Sequence, residues 1–131
     1  MRLITWNVQW CRGIDGVVDP ARIAHEARRI ADPDVLCLQE INVGFADLPG
    51  SQGEDQVEAL RREFPGHFVC FAAAVDVPGN EGTRKRFGNL IASRFPSVQL
   101  TRLARGLPAG SSIEYANRNI LADAISGRQR M

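Results

Sequence analysis

The strongest constraint on the fold lies in the first forty residues, where two strand-like runs flank one helical segment. Residues 2–10 alternate. Ile4, Trp6, Val8 and Trp10 fall on one side, and Leu3, Thr5, Asn7 and Gln9 on the other; this period of two predicts a strand. Arg12 to Val18 holds two glycines and reads as a loop. Asp19-Pro20 then supplies a helix start, with Asp as the N-cap and Pro at the first helical position. Ile23, Ala27, Ile30 and Ala31 form the expected apolar stripe, and Asp32-Pro33 ends the helix. Val35–Gln39 is a short apolar run, read as a buried strand. Strand, helix and strand in that order favour a right-handed crossover and two parallel strands in one sheet. Such a crossover carries the far ends of both strands to one edge, so Asn7 and Glu40 are predicted to meet there.

The remainder continues an α/β pattern. Residues 42–53 are a loop rich in Gly, Asp, Ser and Pro. A second helix is expected from about Glu54 to Phe64, with Val57, Leu60 and Phe64 on one face. Phe68–Ala74 reads as a strand and Asp76–Arg86 as a polar loop holding the one dense basic cluster, Arg84-Lys85-Arg86. Gly88–Ser93 is a strand ended by Arg94-Phe95-Pro96. Val98–Leu103 and Asn119–Ile125 read as strands. Ser126-Gly127 has hairpin-turn chemistry. Only four residues follow it, so an open sheet edge is expected near Ile120–Ile125.

Composition narrows the class. A chain of 131 residues fits one domain with a real core. A formal charge of +1 gives no sign of a bulk nucleic-acid or membrane partner. Cys11, Cys37 and Cys70 are odd in number, widely separated and without a CxxC pair. This argues against a disulfide framework or a structural zinc site and for reduced thiols. No apolar run approaches membrane-spanning length, and the first residues lack the pattern of a signal peptide. The expected location is cytoplasmic.

Two short strings carry the chemistry: Thr5-Trp6-Asn7-Val8 and Leu36-Cys37-Leu38-Gln39-Glu40. Asn is ill suited to a strand interior, because its amide must be satisfied. Glu40 closes a buried run and holds a carboxylate at the rim. An amide oxygen and a carboxylate converging there suit a hard cation such as Mg²⁺. Taken alone, Glu40 also reads as a strand-end carboxylate paired with an arginine, and Arg84-Lys85-Arg86 reads as a solvated loop. Trp6 and Trp10 read as core packing, and the cysteines as inert thiols.

The two strings in this order, followed by Phe87-Gly88-Asn89-Leu90-Ile91-Ala92-Ser93-Arg94-Phe95-Pro96 and by Arg118-Asn119-Ile120-Leu121-Ala122, resemble the endonuclease/exonuclease/phosphatase superfamily of DNase I-like proteins. The resemblance implies an α/β fold, the N-terminal half of a four-layer α/β/β/α sandwich. It implies hydrolysis of phosphoesters with Mg²⁺ or Mn²⁺. Carried over, Glu40 is the metal carboxylate, Asn7 its catalytic and metal-binding neighbour, and Asn89 a substrate-binding residue. The implied partners are a phosphoester substrate (nucleic acid, phospholipid head group or small phosphate ester) and a C-terminal half of the enzyme. The family's Thr-His, Gly-Asp-x-Asn and Ser-Asp-His motifs do not occur in this chain. Gln9 also stands where some apurinic endonucleases of the family have Asp. Residues 1–131 are therefore expected to be a partial domain, cut before the C-terminal catalytic motifs and inactive alone. The alternative is a non-catalytic module that binds metal, phosphate or a partner. Should the chain prove active, Asp123 and His67 are the first bases to consider.

Overall fold

A computed structural model describes residues 1–96 and, beyond them, 101–102 and 129–130. The chain divides into two compact units, Met1–Pro96 and Ser97–Met131. In the first, a four-stranded sheet is built from β1 (Leu3–Asn7), β2 (Val35–Val43), β3 (Phe68–Pro78) and β4 (Arg84–Ser93), with α1 (Pro20–Ala31) and α2 (Gln56–Glu63) between the early strands. The strand order is β1-β2-β4-β3. β1 and β2 run parallel, pairing Leu3 with Val35 through Asn7 with Gln39. The remaining pairs are antiparallel. The strand-helix-strand order and the parallel pairing are as expected, but the first strand ends at Asn7 rather than Trp10 and the second continues to Val43.

Helix α1 starts where its cap chemistry dictates. The Asp19 carboxylate accepts the Arg22 N–H, and Pro20 holds the first helical position. Asp32 ends it in the left-handed region at φ 42°, just before Pro33. The buried stripe is Ile23, Ala24 and Ala27. Ile30, predicted to join it, is 62% exposed in the last turn, past the last buried side chain of the helix. Helix α2 is capped by Asp55, which accepts the Glu58 N–H. Val57, Leu60 and the following Phe64 are buried as expected. These helix side chains share one core with Leu36, Leu38, Ile41, Leu90 and Ala92. The alternation of the strands sends Leu3, Thr5 and Asn7 to the opposite, open face.

Strands run longer than their apolar cores. β3 continues to Pro78 and β4 begins at Arg84, so the polar stretch 76–86 is mostly hairpin and only Gly79–Thr83 forms the turn. A diagonal cross-strand contact between Asp76 and Arg84 explains this: the arginine Nε donates to the carboxylate at 2.8 Å, and polar residues can extend a solvated ladder. β2 likewise runs four residues past Gln39, across a bulge.

In the second unit, β5 (Thr101–Arg102) pairs antiparallel with β6 (Gln129–Arg130). Residues after Ser126-Gly127 therefore do return to a strand, in contrast to the turn without a partner read from the sequence. The strand expected over Asn119–Ile125, its open edge and Asp123 lie outside the described residues.

Candidate functional site

The site forms where β1 ends beside the bulge in β2. Ladder pairing stops at Asn7 and Gln39. Beyond it Gln9, Trp10 and Cys11 all take positive φ, at 49°, 45° and 59°. Glu40 does the same at φ 64°. Left-handed backbone costs a non-glycine residue roughly 1–2 kcal/mol, so four such residues persist only where their surroundings hold them. The Glu40 conformation belongs to a β-bulge. Register between β2 and β4 jumps from Leu38 opposite Leu90 to Ile41 opposite Gly88, so Gln39 and Glu40 together face Asn89. The bulge turns the Glu40 side chain away from the core and toward Asn7.

Asn7 and Glu40 do meet. The Asn7 Nδ2 donates to Glu40 Oε1 at 2.9 Å, while Asn7 Oδ1 accepts the Gln9 N–H at 3.0 Å. The second contact is an Asx turn that starts the left-handed run. It also orients the amide: the NH₂ end, not the oxygen, faces the carboxylate. Asn7 thereby fixes Glu40 in place. Trp10 N–H donates to the Glu40 carbonyl at 2.8 Å and Val8 N–H to the Gln39 carbonyl at 3.2 Å, which ties the two strand ends together.

Glu40 is half-buried, and among the described residues no arginine or lysine pairs with it. The reading of Glu40 as a structural ion pair is not supported. Its Oε2 receives no hydrogen bond from the described residues. A half-buried carboxylate with one oxygen oriented by an amide and the other open is a hard donor suited to a divalent ion. Mg²⁺ commonly takes only one or two carboxylates and keeps several waters. Among the described residues, no group of three or more His, Cys, Asp or Glu side chains could hold a metal. The donor set thus fits the ion with one protein carboxylate.

Asn89 is exposed on the open face of β4, opposite the bulge in register. On its other side β4 packs closely on β3: a Cβ at Gly88 would collide with the Ala72 carbonyl oxygen, so glycine lets β3 close against β4 at this point.

Other predicted residues stand elsewhere. His67 Nε2 lies 3.1 Å from the Pro33 carbonyl, its ring against Phe64. Pro33 precedes β2, so at about 3.3 Å per residue His67 sits roughly 20 Å along the strand from Glu40. His25 is exposed on α1. The basic cluster is engaged internally: Arg84 with Asp76, Lys85 with Asp47, and Arg86 over the Phe71 ring. Trp10 is half-buried and its indole N–H donates to the Pro49 carbonyl at 3.0 Å. Cys11 is fully buried, whereas Cys37 and Cys70 are half-buried; all three are free thiols. Burial, then the charges of Glu54 and Asp19, push the Cys11 thiol up to about 12.

Sequence reasoning passed over the buried amides behind this rim. Asn42 and Gln56 are wholly buried, and Ser51 is 6% exposed. Asn42 sits in the apolar run 41–43, and Gln56 opens α2. An amide interrupting an apolar run was the same signal that marked Asn7.

Comparisons with known proteins bear on the family and the fold. The sequence profile of the Endonuclease/Exonuclease/phosphatase family matches residues 4–128. The chain belongs to that family and has a mixed α/β fold. A solved endonuclease/exonuclease/phosphatase structure from Beutenbergia cavernae is 28% identical, with a TM-score of 0.55, over 79% of this chain and 28% of that one. A second likeness points to other proteins. Recombination protein RecR of Rhodopirellula baltica is 55% identical over 74 residues, 55% of this chain and 36% of that protein. The RecR of Saccharopolyspora erythraea is 31% identical over 132 aligned positions, 82% of this chain and 65% of that protein. The chain spans about a third of the length of the first of these relatives. No helix among the described residues is long and apolar enough to cross a membrane.

Proposed function

We propose that this chain supplies the metal side of a phosphoester hydrolase. Glu40 would hold Mg²⁺ or Mn²⁺ through its carboxylate. Asn7 would fix the orientation of that carboxylate, and Asn89 would contact the phosphate. The observation that carries this reading is the Asn7–Glu40 hydrogen bond at a strained bulge, on a carboxylate without a cation partner among the described residues. When bound, the ion would supply electrophilic stabilisation of charge on a phosphoryl oxygen. The protein's part is preorganisation: Glu40 is held in one conformation before substrate arrives, which removes a reorganisation cost from the reaction. Among the described residues no base for water activation stands beside Glu40, so in this reading the chain alone would be inactive and would need residues of a longer protein.

The test is Mn²⁺ binding by paramagnetic resonance, with hydrolysis of an activated phosphodiester measured in parallel. The expected result is metal binding without hydrolysis, and loss of binding in Glu40→Ala. Binding that survives Glu40→Ala would overturn the metal assignment. Hydrolysis by the 131-residue chain would overturn its inactivity.

A second reading draws on the likeness to recombination proteins: a non-catalytic module that binds nucleic acid. Because Arg84 and Lys85 are engaged with aspartates, this reading has less support from the described residues. Titration with single- and double-stranded DNA at two salt concentrations tests it, since phosphate contacts weaken steeply with salt.

A further inference from the structure

The strained rim is held by a single buried side chain. Gln56 is 0% exposed and opens α2, behind both left-handed segments. Its Nε2 donates to the Trp10 carbonyl at 2.7 Å and to Glu54 Oε1 at 2.7 Å. Its Oε1 accepts the Asn42 N–H at 3.0 Å. Trp10 in turn donates its N–H to the Glu40 carbonyl at 2.8 Å. The chain of bonds closes on itself: Glu40 to Trp10, Trp10 to Gln56, Gln56 to Asn42, and two covalent steps from Asn42 back to Glu40. Each backbone group in this ring has lost its regular ladder partner to the bulge or to the left-handed turn. Leaving such groups unpaired inside the protein would cost roughly 1–3 kcal/mol each. A side chain with a donor and an acceptor on one planar head satisfies both the Trp10 carbonyl, past the end of β1, and the Asn42 N–H on β2. Leu offers neither, and an ionised Glu offers only the acceptor.

A second set of buried bonds braces the ring from the loop side. Asn42 Nδ2 donates to Ser51 Oγ at 2.9 Å and to the Phe45 carbonyl at 3.0 Å, and Ser51 Oγ donates to Glu54 Oε2 at 3.1 Å. Burial pushes the Glu54 acid upward, but its backbone contacts and the Gln56 and Ser51 donors outweigh that and hold it below the usual range. The carboxylate thus stays charged and keeps the Gln56 amide aimed. This fixes which end of the amide faces Trp10 and which faces Asn42.

We infer that Gln56 is a positioning residue for Glu40: by clamping Trp10 and Asn42 it holds the left-handed bulge that presents the carboxylate to Asn7. The inference rests on the reading of Glu40 as the metal carboxylate, but its geometric core is testable without metal. Gln56 touches neither the carboxylate nor anything bound to it, so its effect must pass through the backbone.

The experiment compares the 131-residue chain with Gln56→Leu and Gln56→Glu. Three quantities are read: the Asn7 carboxamide proton resonances, deuterium exchange at the Trp10 and Asn42 N–H groups, and Mn²⁺ affinity. In folded Gln56→Leu the Asn7 resonances should move to free-amide values, and both N–H groups should exchange at least about tenfold faster. Mn²⁺ affinity should fall about 10- to 100-fold, the usual effect of removing a support behind a ligand. Gln56→Glu keeps the acceptor for Asn42 and should preserve protection there while losing it at Trp10. Unchanged Asn7 resonances and Trp10 protection in a folded variant would overturn the inference and leave Gln56 a core amide that affects only melting temperature. Should neither variant fold, through-hydrogen-bond couplings in the parent, from Gln56 Nε2 and from Trp10 N to their carbonyl carbons, decide the matter; their absence overturns it. If the parent binds no Mn²⁺ but Gln56→Leu still moves the Asn7 resonances, the metal reading falls and the positioning role stands.

Discussion

The two ends of strand β2 carry carboxylates that are treated in opposite ways. At its start, Asp32 and Asp34 are neutralised. Arg94 binds both oxygens of Asp32 at 2.8 and 2.9 Å and reaches Asp34 at 3.3 Å, while the Arg2 N–H donates to Asp34 at 2.6 Å. The Arg94 hydrogen bond, mainly, holds the Asp32 acid below its ordinary range, and the Arg2 backbone N–H does the same for Asp34. At the other end, Glu40 has an amide on one oxygen and no cation among the described residues. The first end closes the sheet against helix α1 and strand β4. The second is held open by left-handed backbone and buried amides. The two carboxylate sites thus differ in backbone strain and, among the described residues, in counter-charge.

The largest expected effect comes from disturbing the close packing of β3 on β4. Gly88→Ala sets a Cβ 2.0 Å from the Ala72 carbonyl, a clash with backbone that cannot rotate away. It should destabilise the chain by about 1–3 kcal/mol or more, seen as a lower denaturant midpoint. An unchanged midpoint would mean that the β3–β4 register described here is wrong.

Next come the two ends compared directly. Glu40→Ala should remove Mn²⁺ binding and leave thermal stability near the parent's. Arg94→Ala should do the reverse, lowering the melting temperature and sparing Mn²⁺ binding. The contrast breaks if both variants lose stability equally.

Acid should separate the ends more gently. The lowered acids of Asp32 and Asp34 add stability that is present above their ordinary value near 3.8 and lost as pH falls through their lowered values. An acid-unfolding curve should shift to higher pH in Arg94→Ala. No shift would show that the Arg94 contacts are too exposed to matter.

The smallest effect concerns Cys11. Its raised thiol keeps full stabilisation below about 9 and loses it as pH climbs from there toward about 12. At neutral pH it should react with a thiol reagent far more slowly than Cys37 or Cys70. Equal rates at all three would contradict its burial behind the rim.

Much of this was legible in the sequence because it depends on near neighbours. Period-two alternation, an Asp-Pro helix start and an apolar run specify strand, helix and strand, and chain handedness then brings Asn7 to Glu40. Buried faces of α2 followed in the same way. Less legible were features that polar residues share between distant strands. The hairpin across 76–86 looks like a loop because Asp76 and Arg84 become favourable only once paired. The bulge is invisible in the run Leu38 to Ile41, because it arises from the register against β4.

The sequence by itself determined the order of elements, the family resemblance and the pair Asn7 and Glu40, since each is written in local spacing and residue type. Tertiary structure alone decided how that pair is held. Asn7 turns its NH₂ to the carboxylate because Gln9, two residues on, takes its oxygen. Glu40 stays left-handed while Gln56, 16 positions further along, joins Trp10 to Asn42. A buried hydrogen bond is set by where backbone groups lose their ladder partners, and that is known only when the strands are side by side.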